Sequence, residues 1–194
     1  METDAVHPRV LGYLGRALSL ELSAVQQYMT QASLVGLWGD EAAADRFRQE
    51  TVEEMQHAER IVLQMLSLGV APGASQLHPV THAADLVGLL EHNAVLEQQL
   101  IDHYDEASRF CQLVGDQANG EFFAALLEDE QHHGRDLEAW LQELGGRRRR
   151  GYARYGAMAP ANNGPRGTAQ RNPSQRNPSQ RNPSQRDLSQ RASF

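Results

Sequence analysis

The chain is 194 residues long with a formal net charge of −7, and 40% of it is hydrophobic, enough for one ordinary domain with a real core plus a tail. Its single cysteine, Cys111, excludes an intramolecular disulfide, a zinc ribbon or a cysteine-ligated iron site. No run approaches the roughly 18 apolar residues of a spanning helix, and the start Met-Glu-Thr-Asp-Ala-Val-His-Pro lacks the basic and apolar regions of a signal peptide, so a soluble cytoplasmic protein is expected.

Four long segments carry helical periodicity. The first spans about 8–37: Pro8 suits an opening turn, and Leu11, Leu14, Leu18, Leu22, Val25 and Met29 recur at three- and four-residue steps. Asp40 can cap a second helix over about 41–68, which Gly69 ends. Residues 69–81 contain Pro72, Gly73 and Pro79 and read as a connection. A third helix is expected over about 83–114 with Gly115 as terminator, and a fourth over about 117–144, closed by Gly145-Gly146. Two tight turns and one long link predict an all-α, antiparallel four-helix bundle with a single crossover, over residues 1–146.

Composition then changes abruptly. Residues 1–146 hold 24 acidic side chains against 7 arginines, whereas residues 147–194 hold one aspartate against 11 arginines. From Gln170 the pentad Gln-Arg-Asn-Pro-Ser occurs three times and then decays. A segment so poor in apolar residues cannot bury a core, so 147–194 are expected to form a disordered tail. Its charge admits three partners: nucleic acid, a compartment shell, or the chain's own acidic bundle.

The two halves also repeat. Glu21, Glu54 and His57 recur as Glu97, Glu130 and His133, each 76 residues on, and Tyr28 and Tyr104 keep the same step, as do Leu68-Gly69 and Leu144-Gly145. This is the mark of a duplicated helix hairpin. A Glu-x-x-His spacing puts both side chains on one helix face, so Glu54 converges with His57 and Glu130 with His133. With Glu21 and Glu97 from the remaining helices, two glutamates and two Glu-x-x-His pairs form the ligand pattern of a carboxylate-bridged metal pair in helix bundles. Four carboxylates balance two divalent cations, whereas four buried glutamates without metal would repel one another. Oxygen-rich ligation favours iron or manganese over zinc.

Around these ligands stand Glu21-Leu22-Ser23-Ala24-Val25-Gln26-Gln27-Tyr28, Leu37-Trp38-Gly39 and Glu53-Glu54-Met55-Gln56-His57-Ala58-Glu59-Arg60. In these words, and over roughly residues 7–144, the sequence resembles the bacterioferritins. The resemblance implies a ferroxidase and iron store in which Fe(II) binds at a di-iron centre, with Glu54 and Glu130 bridging. Glu21 and His57 would complete one iron position, and Glu97 and His133 the other, with dioxygen or peroxide as oxidant. Tyr28 would lie near that centre, bonded to a ligand carboxylate, acting in electron transfer, or simply buried with a satisfied hydroxyl. Tyr104 fits the last of these. Trp38 has packing or electron transfer open to it.

Met55 follows a ligand and so points about 100° away from the metal face. The resemblance implies that it ligates haem b, one sulfur from each of two subunits across a two-fold axis, beside Leu22, Val25, Met29 and Val52. Packing in a dimer interface is its other reading. The resemblance also implies a homo-oligomer, a dimer or a 24-subunit cage, although Gly145-Gly146 and the arginines stand where family members carry a short fifth helix. An accessory inner-surface iron site of the family uses a His and an Asp where this chain has Gln49 and Glu53. His132 is expected at the surface or behind a ligand, His78, His82, His92 and His103 as exposed, and Cys111 as a small core residue. The competing function is protection by peroxide consumption, with the basic tail gripping nucleic acid or an assembly partner.

Overall fold

The computed structural model describes residues 6–155, with side chains over 6–145. Four helices follow in order: α1 (Pro8–Leu37), α2 (Glu41–Ser67), α3 (Leu86–Val114) and α4 (Gln117–Tyr155). Each start has a local cause. His7 accepts from the Arg9 amide, Asp40 from that of Ala43, Asp85 from that of Gly88, and Asp116 from that of Asn119. The Asp85 cap sets the start of α3 at Leu86, three residues after the periodicity alone suggests. Gly115 ends α3 at φ 75°, in the left-handed region where a side chain would strain the backbone.

The other end of α4 differs from expectation. The helix does not close at Gly145-Gly146 but runs on to Tyr155, through the arginine run. Glycine costs about 1 kcal/mol per helical position relative to alanine, which weakens a helix without ending it, and arginine is a good helix former. The helix therefore passes through residue 146, where the composition changes. The pentad repeats and the rest of the tail lie outside the described residues.

The two hairpins, α1 with α2 and α3 with α4, pack most closely, and α1 against α3 joins them. α1 and α3 are antiparallel, since residue numbers run oppositely along the seam. Tyr13 meets His103, Tyr28 meets Glu97, and Gln31 exchanges amide hydrogen bonds with Asn93 at 2.9 and 2.7 Å. The crossover between α2 and α3 lies along α1 as a strap. Its amides at Gln76, His78 and Thr81 donate to Ser19 Oγ, Ser23 Oγ and Gln27 Oε1 at 3.2, 2.9 and 2.9 Å. Those acceptors are four residues apart on one edge of α1, so a link without helix or strand still satisfies part of its backbone.

The core includes Leu14, Phe47, Tyr104, Phe123 and Leu126, all fully buried. Phe47 joins two rings, with centroids 6.1 Å from Tyr28 and 5.2 Å from Trp140. Phe47→Ala is expected to destabilise the protein by about 3–5 kcal/mol, read as a lower denaturation midpoint in urea.

Candidate metal centre

At mid-length each helix turns a carboxylate inward. Glu21 of α1, Glu54 of α2, Glu97 of α3 and Glu130 of α4 are at most 1% exposed. Their helices would not bury such groups for their own stability, because an unpaired buried charge costs several kcal/mol. One turn along α2 and α4, His57 and His133 add their rings, stacked with centroids 5.4 Å apart.

His57 Nδ1 lies 2.8 Å from Glu130 Oε1, 3.3 Å from Glu54 Oε2 and 3.8 Å from Glu21 Oε2. His133 Nδ1 lies 3.4 Å from Glu54 Oε1 and 3.7 Å from Glu130 Oε2. Glu54 and Glu130 thus each face both imidazoles, while Glu21 stands on the His57 side. Ligand atoms of Glu54, His57, Glu130 and His133 all fit within 4.8 Å of one another. Glu97 is buried beside them, and the charges of Glu54 and Glu130 act on it.

None of these approaches has hydrogen-bond alignment. Among the described residues, nine buried side-chain oxygen and nitrogen atoms lack a hydrogen-bond partner, and eight belong to these six residues. Buried polar atoms are nearly always paired, so a cluster of orphans converging on one volume fits cations. The donor set, carboxylate oxygens plus two imidazoles, suits iron or manganese.

The two tyrosines cross over between the hairpins. Tyr28 of α1 donates to Glu97 of α3, and Tyr104 of α3 donates to Glu21 of α1. Each leaves the other oxygen of its carboxylate, Oε2, without a partner. Tyr104 is buried with a satisfied hydroxyl, as expected, and the acceptor of that hydroxyl is, as for Tyr28, a candidate ligand. The 76-residue step held that information.

Electrostatics follow from crowding. Burial, then the charge of Glu54, holds Glu21 well above the usual carboxylate range, and burial, then Glu54 and Glu130, does the same to Glu97. Burial works against the charge on Glu54, but the two imidazoles outweigh it and bring the group down to about 2. Burial likewise opposes charge on the imidazoles, yet contact with Glu130, Glu21 and Glu54 carries His57 up to about 12, and contact with Glu130 and Glu54 carries His133 up to about 12. Without metal, protons therefore supply the positive charge that cations would bring.

The pH dependence of stability has a definite sign. Raised values on Glu21, Glu97, His57 and His133 mean that the folded, metal-free state binds protons more tightly than the unfolded chain, so stability falls as pH rises, from about 4.5 for the two glutamates and from about 6.5 for the two histidines. The melting temperature of metal-free protein is expected to drop between about pH 6.5 and 9, with a flatter profile once Co(II) is added, measured by thermal melts.

A second group, Glu50 and Glu53 with His133, lies on the α2 side. Burial pushes Glu50 up to about 7 against the pull of His133, and its Oε2 has no partner. Gln49 donates its amide to Glu53 Oε1 at 2.7 Å.

Met55 is 49% exposed and faces outward from α2, with Val52 at 50% and Met29 at 52%. Leu22 beside them is half-buried and Val25 is buried. Trp38 is the C-cap of α1 and 43% exposed. His78, His82, His92 and His132 are exposed, and Cys111 is buried. His103 is not exposed as expected. It is 6% exposed on the α1 face of α3, where its Nε2 meets the Tyr13 carbonyl at 3.0 Å, and burial lowers its pKa.

Four helices that each send a carboxylate oxygen without a hydrogen-bond partner into one buried cluster define a ferritin-like protein. A family model described as a ferritin-like domain matches residues 11–146. Bacterioferritin from Brucella melitensis is 32% identical over 157 residues, 80% of this chain and 96% of the relative. Bacterioferritin from Rhodobacter capsulatus is 33% identical over 141 residues, 73% of this chain and 86% of the relative. A solved structure of Rhodobacter capsulatus bacterioferritin, described with a metal-free dinuclear site and haem iron in a crystallographic special position, has a TM-score of 0.68 at 29% identity, covering 81% of this chain and 98% of that one. The chain belongs to the bacterioferritin family.

Proposed function

We propose that this protein is a ferroxidase and iron store, with Fe(II) as its substrate and Glu21, Glu54, His57, Glu97, Glu130 and His133 as its ligands. The eight orphaned atoms carry this reading. Glu54 and Glu130, each facing both imidazoles, would bridge the cations; Glu21 with His57 would hold one, and Glu97, which feels the charge of His133, would hold the other with it. Two Fe(II) ions give up one electron apiece to dioxygen or peroxide. The chain's own part is to fix the cations side by side, to keep Glu21 and Glu97 aimed through the crossed tyrosines, and to release protons as cations enter. Ferric iron then passes to storage.

Haem b is the second component of the reading, held by Met55 between two copies of the chain. Support comes from the exposure of Met55 with Val52 one turn before it on α2 and of Met29 on α1, and from the haem iron of the Rhodobacter capsulatus protein. Assembly as a dimer or 24-subunit cage belongs to the same proposal and is read from native mass. No helix among the described residues is long and apolar enough to cross a membrane. The protective alternative, with a tail that grips nucleic acid or a shell, gains nothing from the relatives, and the tail's repeats lie outside the described residues.

The direct test adds Fe(II) anaerobically, admits oxygen and follows ferric absorbance. A fast phase that saturates at two Fe(II) per chain is expected. A phase that grows without saturating, at the rate of iron in buffer alone, sinks the reading.

A further inference from the structure

Each imidazole of the centre has a second ring nitrogen, and the two find different company. His133 Nε2 lies 3.0 Å from Glu53 Oε2, and His57 Nε2 lies 3.8 Å from Asp129 Oδ2. Glu53 and Asp129 are themselves 76 residues apart. Each immediately precedes a candidate ligand, Glu54 or Glu130, and each serves the imidazole of the opposite hairpin. Both are ion-pair approaches; a carboxylate beside the remote nitrogen of a ligand imidazole favours the tautomer with its proton there, aims the other nitrogen at the metal and makes it a stronger donor.

The symmetry ends one residue further out. Glu53 Oε1 accepts from the neutral Gln49 amide at 2.7 Å, so its charge stays directed at His133. Asp129 Oδ2, the oxygen that faces His57, is taken by the Arg60 guanidinium at 2.6 Å. At 3.8 Å from Nε2 it is beyond hydrogen-bond distance, and a full positive charge offsets it. The sequence carries this difference, because the positions 76 beyond Gln49 and Arg60 are Ala125 and Asp136.

We propose that Glu53 and Asp129 are positioning residues and that their unequal grip makes the two cation positions unequal. The position served by His133 and Glu97 binds first and more tightly; that served by His57 and Glu21 fills second. This rests on the six-ligand reading above. Glu53 acts through His133 and touches no cation.

Co(II) is the probe, since its visible absorption bands report ligand geometry without turnover. Full-length wild-type protein is expected to bind two Co(II) per chain in two resolved steps. Glu53→Gln should weaken the tighter step about 10–100-fold and shift the bands of the first equivalent, leaving the second step in place. Arg60→Gln, which frees Asp129 for His57, should strengthen the weaker step and narrow the gap. Two equal steps in the wild type, or unchanged steps in Glu53→Gln, would overturn the proposal. So would a third Co(II) per chain that disappears in Glu53→Gln, since Glu53 would then be a ligand alongside Glu50. Failure of the underlying reading looks different: no Co(II) bound by the wild type, or binding unaffected by Glu54→Ala.

Discussion

Glu54→Ala is expected to lower the initial rate of Fe(II) oxidation by more than about 100-fold. Loss of a partner behind a ligand already costs about 10–100-fold in metal affinity or activity, and Glu54 is itself a candidate ligand. It is fully buried, and it is one of two carboxylates that face both imidazoles, at 3.3 Å from His57 and 3.4 Å from His133. Its removal therefore weakens both cation positions at once, where loss of Glu21 or Glu97 weakens one. The measurement is ferric absorbance after oxygen is admitted to protein loaded with two Fe(II) per chain. Circular dichroism on the same sample separates a lost site from a lost fold. A rate within twofold of wild type would remove Glu54 from the centre.

Met55→Leu should abolish haem binding and leave iron oxidation unchanged. Leucine conserves the volume and apolar character of methionine, so the proposed association should survive, but no sulfur remains to ligate. Neighbouring residues of one helix face different surroundings here: Glu54 is fully buried while Met55 is 49% exposed. The two functions therefore separate by mutation. Purified wild-type protein is expected to show a Soret band that vanishes in the variant, with the ferroxidase trace superimposable. A band that persists in Met55→Leu assigns the haem to another ligand.

Much of this was legible before any coordinates. The three- and four-residue recurrence of leucines in the first half of α1, the cap at Asp40 and the terminator at Gly115 act within a few residues, and local rules recover them. The inward glutamates were legible for another reason: a duplication writes each ligand twice, and a repeated charge in an apolar stripe stands out. What stayed hidden depends on partners distant in sequence. That His103 is buried follows from a carbonyl 90 residues away on α1. The hydrogen bond from Tyr104 to Glu21 spans 83 residues. The path of α4 through Gly145-Gly146 was obscured because two glycines look locally like a stop, although arginines follow them immediately.

The strap between α2 and α3 has a consequence for how the chain can change its length. The link holds 18 residues between Ser67 and Leu86, which reach at most roughly 60 Å when fully drawn out. It must travel the length of α2, 27 residues or about 40 Å, to begin α3 at the other end. The slack is some 20 Å, about six residues' worth. Shortening beyond that forces the second hairpin to invert or to pair with another chain, whereas lengthening costs only the slow logarithmic penalty of a looser closure. Duplication of a hairpin into one polypeptide thus sets a minimum on the joint but no comparable ceiling.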